Sequence, residues 1–231
     1  MEHSNIVSST QEQVVLNERQ KNILKEEGLP TDYEKLTPTQ KMAIVSMEEM
    51  LQYADEKYGK TFCYAGYVAA GAVDDEHTIA YPSDGDELKE RFTITKTESG
   101  YEDNYINIVA NEDFFKYLSN NIEPFLNGAE AKILGTITKT SLNKVPDDLT
   151  EFDGNVESST MIFIDGKTFD ENNVKEFETA VTDFMNEHKL YSTVQVIVLK
   201  EGNLQGITED NYTDYLSKTY YTIRDEFYIK K

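Results

Sequence analysis

The chain has 231 residues, with 43 acidic and 22 basic side chains and a formal net charge of −21. That length suits one large domain or two small ones and buries a core without covalent staples. The charge argues against a nucleic-acid backbone or an anionic membrane surface as partner, the single cysteine, Cys63, excludes an intrachain disulfide, and no run approaches the roughly 20 apolar residues of a membrane-spanning helix. The first residues, 1–13, are polar and rich in Ser and Gln, and read as a disordered lead or tether with no signal-peptide apolar region. A short helix is predicted over about Glu12 to Glu27, with Leu16, Ile23 and Leu24 on one side and Gly28 and Pro30 as stops.

The strongest element follows. Thr37 and Gln40 form a capping-box pattern around Pro38, which sits at the first helical position where no N–H is needed. Ile44, Met47, Leu51, Ala54 and Tyr58 recur at spacings of three and four, and Ala43 and Met50 widen that stripe. Glu48, Glu49, Gln52, Asp55 and Glu56 fall mainly on the other side, and Gly59 supplies a left-handed stop. The apolar face is read as core packing rather than a methionine-lined groove.

The run from Asn17, NERQKNILKEEGLPTDYEKLTPTQKMAIVSMEEMLQYADEKYGKTFCYAGYV, resembles a family of uncharacterised proteins from Gram-positive bacteria, whose members carry similar EEGLPTDYE and EEMLQY…KYG segments. The resemblance covers about a quarter of the chain, mainly residues 17–68, with weaker likeness at AYPSDGD and YEDNYINI. It implies a fold and, because some members resemble lipoproteins, a cell-surface alternative to the cytoplasmic location that the chain suggests as it stands. It implies no activity and no catalytic residues.

Beyond Gly59, strands are predicted at 61–69, with Gly66 and Gly71 marking a bend or bulge, at 78–81 and at 91–96. Tyr105 to Ala110 reads as the strand that completes a hairpin with 91–96. Asn111 is placed as the cap of a helix with Phe115, Leu118 and Ile122 on its core side, broken at Pro124. A strand at 131–138 leads into a long acidic loop, 139–158, whose length asks for a function. A strand at 160–165, a helix at 170–189 with Val174, Phe177, Val181 and Phe184 on one face, a strand at 192–200, a short helix at 208–217 and a strand at 220–229 close the chain.

The fold class expected is α+β: a mainly antiparallel sheet packed on the two long amphipathic helices, 38–58 and 170–189, within one domain spanning 14–231. The shared order of helix and strand at 38–69 and 170–200 also allows two similar α/β halves, about 37–126 and 160–231, although a coincidence of order explains it as well.

The chain lacks the phosphate-binding, dinucleotide-binding and nucleophile-elbow glycine motifs, and it lacks H-E-x-x-H. Calcium-loop spacing fails at Gly85, Gly154 and Gly166, where the first ligand position would be Ala80, Leu149 or Met161. Asp74, Asp75, Glu76 and His77 read as a solvated turn rather than a cation site. No catalytic residue, cofactor or metal is assigned. Residues 61–156 carry 18 acidic and 7 basic groups, which makes the middle of the chain the candidate electrostatic surface. With 15 tyrosines, suited to wet core edges and protein interfaces, the reading is a non-catalytic module, of immunity or antitoxin type, that blocks a basic protein partner. Its expected contacts are Asp74, Asp75 and Glu76 in one turn, Asp84, Asp86 and Glu87 in a second, and Asp147, Asp148, Glu151 and Asp153 in the long loop. The alternative is a surface-tethered, lipoprotein-like domain that binds a ligand or peptide.

Overall fold

Asn17 sets where regular structure begins. Its side chain accepts from the Gln20 N–H at 2.8 Å, and the Gln20 side chain accepts from the Asn17 N–H at 3.0 Å, which closes a capping box on α1 (Glu18–Glu26). The helix therefore starts later than the apolar spacing predicts, and Val14 and Val15 ahead of it are exposed. The computed structural model describes residues 14–231, so the expected polar lead lies outside the described residues.

The fold is α+β, as the sequence predicts. The chain divides between Asp103 and Asn104 into two compact units, each with its own four-stranded sheet. One common sheet was the expectation; strand patterning reports which face of a strand is buried but carries no label for the sheet it joins. The unit boundary falls inside the 37–126 segment considered as a repeat half.

In the first unit, α2 (Pro38–Tyr58) has the predicted ends. Gln40 donates from its backbone to Thr37 Oγ1 and accepts from the Thr37 N–H, and Gly59 closes the helix at φ 63°. The predicted stripe is buried at Ile44, Met47, Met50, Leu51 and Ala54. This face packs on the sheet formed by β1 (Phe62–Val68), β2 (His77–Pro82), β3 (Phe92–Thr97) and β4 (Gly100–Asp103), an antiparallel meander in chain order. Phe62, Ala80, Phe92 and Ile94 are fully buried apolar residues of its strands, and the register between β1 and β2 shifts at Tyr64/Gly66, where the sequence placed a bulge.

Glu48, expected on the polar side of α2, is buried. The α1 helix covers that side, and Arg19 donates to both Glu48 oxygens, at 2.9 and 3.0 Å, and to Asp55 at 2.6 Å. Burial opposes the charge on Glu48, but the Arg19 guanidinium together with the Asn17 and Gln52 side chains outweighs it and holds the carboxyl below the usual range. The α2 helix is thus packed on two sides, with an ion pair serving one of them.

The second unit opens with α3 (Tyr105–Val109) where a strand was predicted; the returning strand of the hairpin is the shorter β4. Ile106 and Ala110 are both buried at helical spacing, and an apolar run this short does not distinguish the two periods. The following helix, α4 (Asn111–Ile122), continues almost without a break, its N-cap being Ala110 rather than Asn111. Asn111 instead accepts from the Ile137 N–H at 2.9 Å and donates to the Gly135 carbonyl at 3.2 Å, serving the backbone of an edge strand. That strand, β5 (Ala131–Thr140), passes so close to its neighbour that a Cβ on Gly135 would collide with the Ser159 carbonyl oxygen.

The sheet order is β5, β6 (Val156–Asp165), β7 (Tyr191–Leu199), β8 (Tyr221–Ile229). All four strands lie where predicted, with β6 starting earlier, inside the predicted loop, but β6 and β7 are parallel and are joined by α5 (Val174–Glu187), which is shorter than predicted because Glu171–Asn173 forms a 3-10 turn ahead of it. One face packs against α4 and α5, with Phe114, Leu118, Ile162, Val181, Met185 and Val196 in its core. On the other face Phe163, Ile197 and Leu199 are covered by Leu204 and Ile207. This explains the strand burial. Both β6 and β7 alternate at first and become buried at every residue near their C-terminal ends, where the 200–217 segment lies across the second face. The short helix predicted within that segment is a 3-10 turn, Tyr212–Leu216.

Candidate functional site

The ten acids named from the sequence divide sharply. The loop between β1 and β2 carries Asp74 and Asp75, both exposed, and among the described residues their carboxylates make no ion pair or hydrogen bond. The Gly71 N–H donates to the Asp74 carbonyl at 2.9 Å, which closes the loop and presents Val73 at 93 % exposure beside the two acids. Glu76, at the foot of the same loop, is structural: it accepts from the Tyr67 hydroxyl at 2.7 Å and pairs with Lys96 at 3.5 Å.

The second group lies in the loop between β2 and β3. Asp84 pairs with Lys60 at 3.3 Å, Asp86 accepts from the N–H groups of Leu88 and Lys89, and Glu87 pairs with Arg91. Leu88 is 81 % exposed. The two loops leave opposite ends of β2, a six-residue strand, so they lie about 20 Å apart along it and do not make one patch.

The third group belongs to the long acidic loop, and here the sequence expectation changes. The loop is shorter than predicted, 141–155, and it is folded: Leu149–Phe152 forms a 3-10 turn. Phe152 is fully buried against Phe114, and Leu142, Val145 and Leu149 pack on the core of the unit. Asp148 caps the turn through the Thr150 N–H and hydroxyl, and Asp147 pairs with Lys144 at 3.3 Å. Asp153 accepts from the Tyr117 hydroxyl and contacts His188 Nδ1, each at 2.7 Å. The imidazole packs on the Phe184 ring, 4.5 Å between centroids, at the C-cap of α5, where a cation interacts well with the helix dipole. This Asp–His–Tyr cluster ties the loop to α4 and α5. Glu151 alone in the group is exposed with a carboxylate that has no partner among the described residues.

The tyrosines have a use that composition did not specify. In the first unit Tyr53 and Tyr58 donate to Asp103, Tyr64 to Glu27, Tyr67 to Glu76 and Tyr101 to Glu49. Burial and the adjacent carboxylates both disfavour the phenolate, so these phenols are pushed up, Tyr101 to about 12. The native state therefore favours the protonated phenol. Its stabilisation is complete below the ordinary tyrosine value of about 10 and is lost as pH rises from there through the raised values. The absence of tryptophan leaves the phenolate absorbance unobscured. We expect the phenolates of these residues to appear together with loss of circular dichroism above about pH 10; free titration near that pH with the fold intact would contradict the bonding described.

The second unit carries a cleft of about 700 Å³, a size typical of ligand sites. Leu126, Ala129, Ala131, Ile133 and Leu204 supply apolar walls, and Glu123, Glu130 and Lys132 supply charge. The segment that forms one wall turns through Asn127 and Gly128, both at positive φ. The start of β5 forms another, beside the C-terminal end of β6, since Ala131 pairs with Ile164. The Glu130 carboxylate accepts from the Gln205 side chain at 3.1 Å, and Lys132 Nζ donates to the Ile207 carbonyl at 2.7 Å. Among the described residues, no group of three or more His, Cys, Asp or Glu has a geometry that could hold a metal ion, and no helix is long and apolar enough to cross a membrane.

No family model matches the chain, and no curated protein matches it. A solved structure, a DUF5037 family protein from Ruminococcus gnavus ATCC 29149, is similar to it. The identity is 14 %, the match covers 70 % of this chain and 78 % of that one, and the TM-score is 0.33. A likeness that distant carries no argument about function.

Sequence reading missed Val73 and Leu88, and a signal for each was present: a large apolar residue inside an acidic or glycine-rich turn has no strand or helix face to bury it. It also missed the cleft. Glu123, Glu130 and Gln205 lie on three segments that only the tertiary structure brings together.

Proposed function

We propose that the protein is a non-catalytic binding module for a basic protein partner, of the immunity or antitoxin kind, and that the loop between β1 and β2 is its contact. The observation that carries this reading is the exposed Val73 followed directly by Asp74 and Asp75, whose carboxylates have no partner among the described residues. An apolar anchor inside a polar rim is the usual anatomy of a docking epitope. The other acidic loops are weaker candidates, because all their named carboxylates except that of Glu151 already serve local pairs and caps. The net charge of −21 supports fast, salt-sensitive association with a cationic surface.

The test is affinity capture from native lysate at low salt with two baits, the wild-type chain and the triple variant V73S/D74N/D75N, each eluted by a salt step. The expected result is one basic protein released from the wild type and absent from the variant. Equal recovery from both baits would remove this loop from the reading, and an empty wild-type eluate would remove the basic partner.

A further inference from the structure

The cleft of the second unit has a charge pattern that specifies an occupant. Two of its three ionisable lining residues are acids, Glu123 and Glu130, and both are exposed. The third, Lys132, already spends one donor on the Ile207 carbonyl. Gln205 holds one oxygen of Glu130 at 3.1 Å, and the other accepts no hydrogen bond among the described residues. Much of the remaining wall is aliphatic: Leu126, Ile133 and Leu204 are buried residues that line the cleft, and the small Ala129 and Ala131 line it too. An anion would face two carboxylates, and a purely apolar ligand would leave their charge without a counterpart in the cleft. A cation on an aliphatic stem satisfies both halves of the site, because such side chains lay their methylenes on apolar surface and keep the charged head at polar groups. Guanidinium in addition pairs with carboxylates through two parallel N–H bonds.

We propose that this cleft binds an arginine side chain presented on a short peptide segment, with the stem on Leu126, Ile133 and Leu204 and the guanidinium at Glu130 and Glu123. The proposal rests on the reading above in one respect, that the partner is a basic protein; it places a second contact on the second unit. It gives the cleft a ligand class whether or not the β1–β2 loop is used.

The test uses the full chain with methyl-labelled leucine and isoleucine, titrated with N-acetyl-Leu-Arg-amide and with its citrulline counterpart, which keeps the shape and removes the charge. The expected result is a saturable shift of the Leu126, Ile133 and Leu204 methyls by the arginine peptide. The citrulline peptide and the E123Q/E130Q variant should each weaken it by about tenfold or more. Both glutamates are exposed, so the variant should keep the wild-type Tm, and this is checked in the same experiment. The absence of any methyl shift would overturn the proposal, and so would equal binding of the citrulline peptide, which would mark an apolar site only. The V73S/D74N/D75N chain should bind the arginine peptide like the wild type, so failure of the loop reading and failure of the cleft proposal appear in different variants.

Discussion

Phe152→Ala is expected to destabilise the second unit by about 3–5 kcal/mol, the usual cost of emptying a buried aromatic site. Phe152 is fully buried, edge-on to Phe114 at 5.3 Å and tilted against Tyr117 at 6.1 Å. It is the residue through which an acidic loop becomes part of a core, so the substitution also releases the anchor beside Asp153 and its bonds to Tyr117 and His188. Denaturant unfolding, with amide exchange to assign the loss to β5 and β6, measures the effect. The companion substitution Glu151→Gln, one residue away and exposed, should change stability by no more than about 0.5 kcal/mol. If Phe152→Ala were as mild as Glu151→Gln, the loop would be a surface feature, and its acids would return as candidate contacts.

The second large effect is expected at Asp103. Its side chain is fully buried and accepts from Tyr58 at 2.6 Å, Lys57 at 2.7 Å and Tyr53 at 3.0 Å. Through these bonds the short strand β4 is fastened to the last two turns of α2. Asp103→Ala leaves an ammonium and two hydroxyls without their acceptor, and removing one partner of a buried ion pair costs about 3–5 kcal/mol. Lys57 is a third exposed, so water can take over some of its solvation and the low end of that range is expected. The double variant D103A/K57M should recover part of the loss, because no unpaired charge then remains. Urea midpoints of the two single variants and the double variant give the coupling directly; additive effects would mean that the lysine and the carboxylate act separately.

Legibility followed the range of the interaction. The capping box at Thr37 and Gln40, the left-handed stop at Gly59 and the buried stripe of α2 are all local, and each was readable from residues within a few positions. Strands β1, β2, β3, β5, β6, β7 and β8 were also readable, because alternation and turn residues are local signals. Reading failed where a distant segment supplied the partner. Glu48 looked like surface because its spacing put it opposite the apolar stripe, and Arg19, 29 positions away, is what buries it. Asn111 looked like a cap, and its side chain instead answers the backbone of β5. The acids at 147–153 looked like free charge, and Tyr117 and His188 show where one of them goes.

The sequence by itself determined an acidic α+β chain, the ends of its main helix, the inward face of most elements and the unusual supply of tyrosines. Periodicity determines which side of an element is buried, because side-chain direction repeats with the backbone. It does not determine what that side is buried against. The tertiary structure alone decided that the strands form two sheets, that β6 and β7 run parallel across α5, and that Phe152 turns a loop into core. It also decided which acids beside Val73 have no partner among the described residues, and brought Glu123, Glu130 and Gln205 to one cleft. Those choices depend on pairing energies between residues tens of positions apart, and no window of the chain contains both partners.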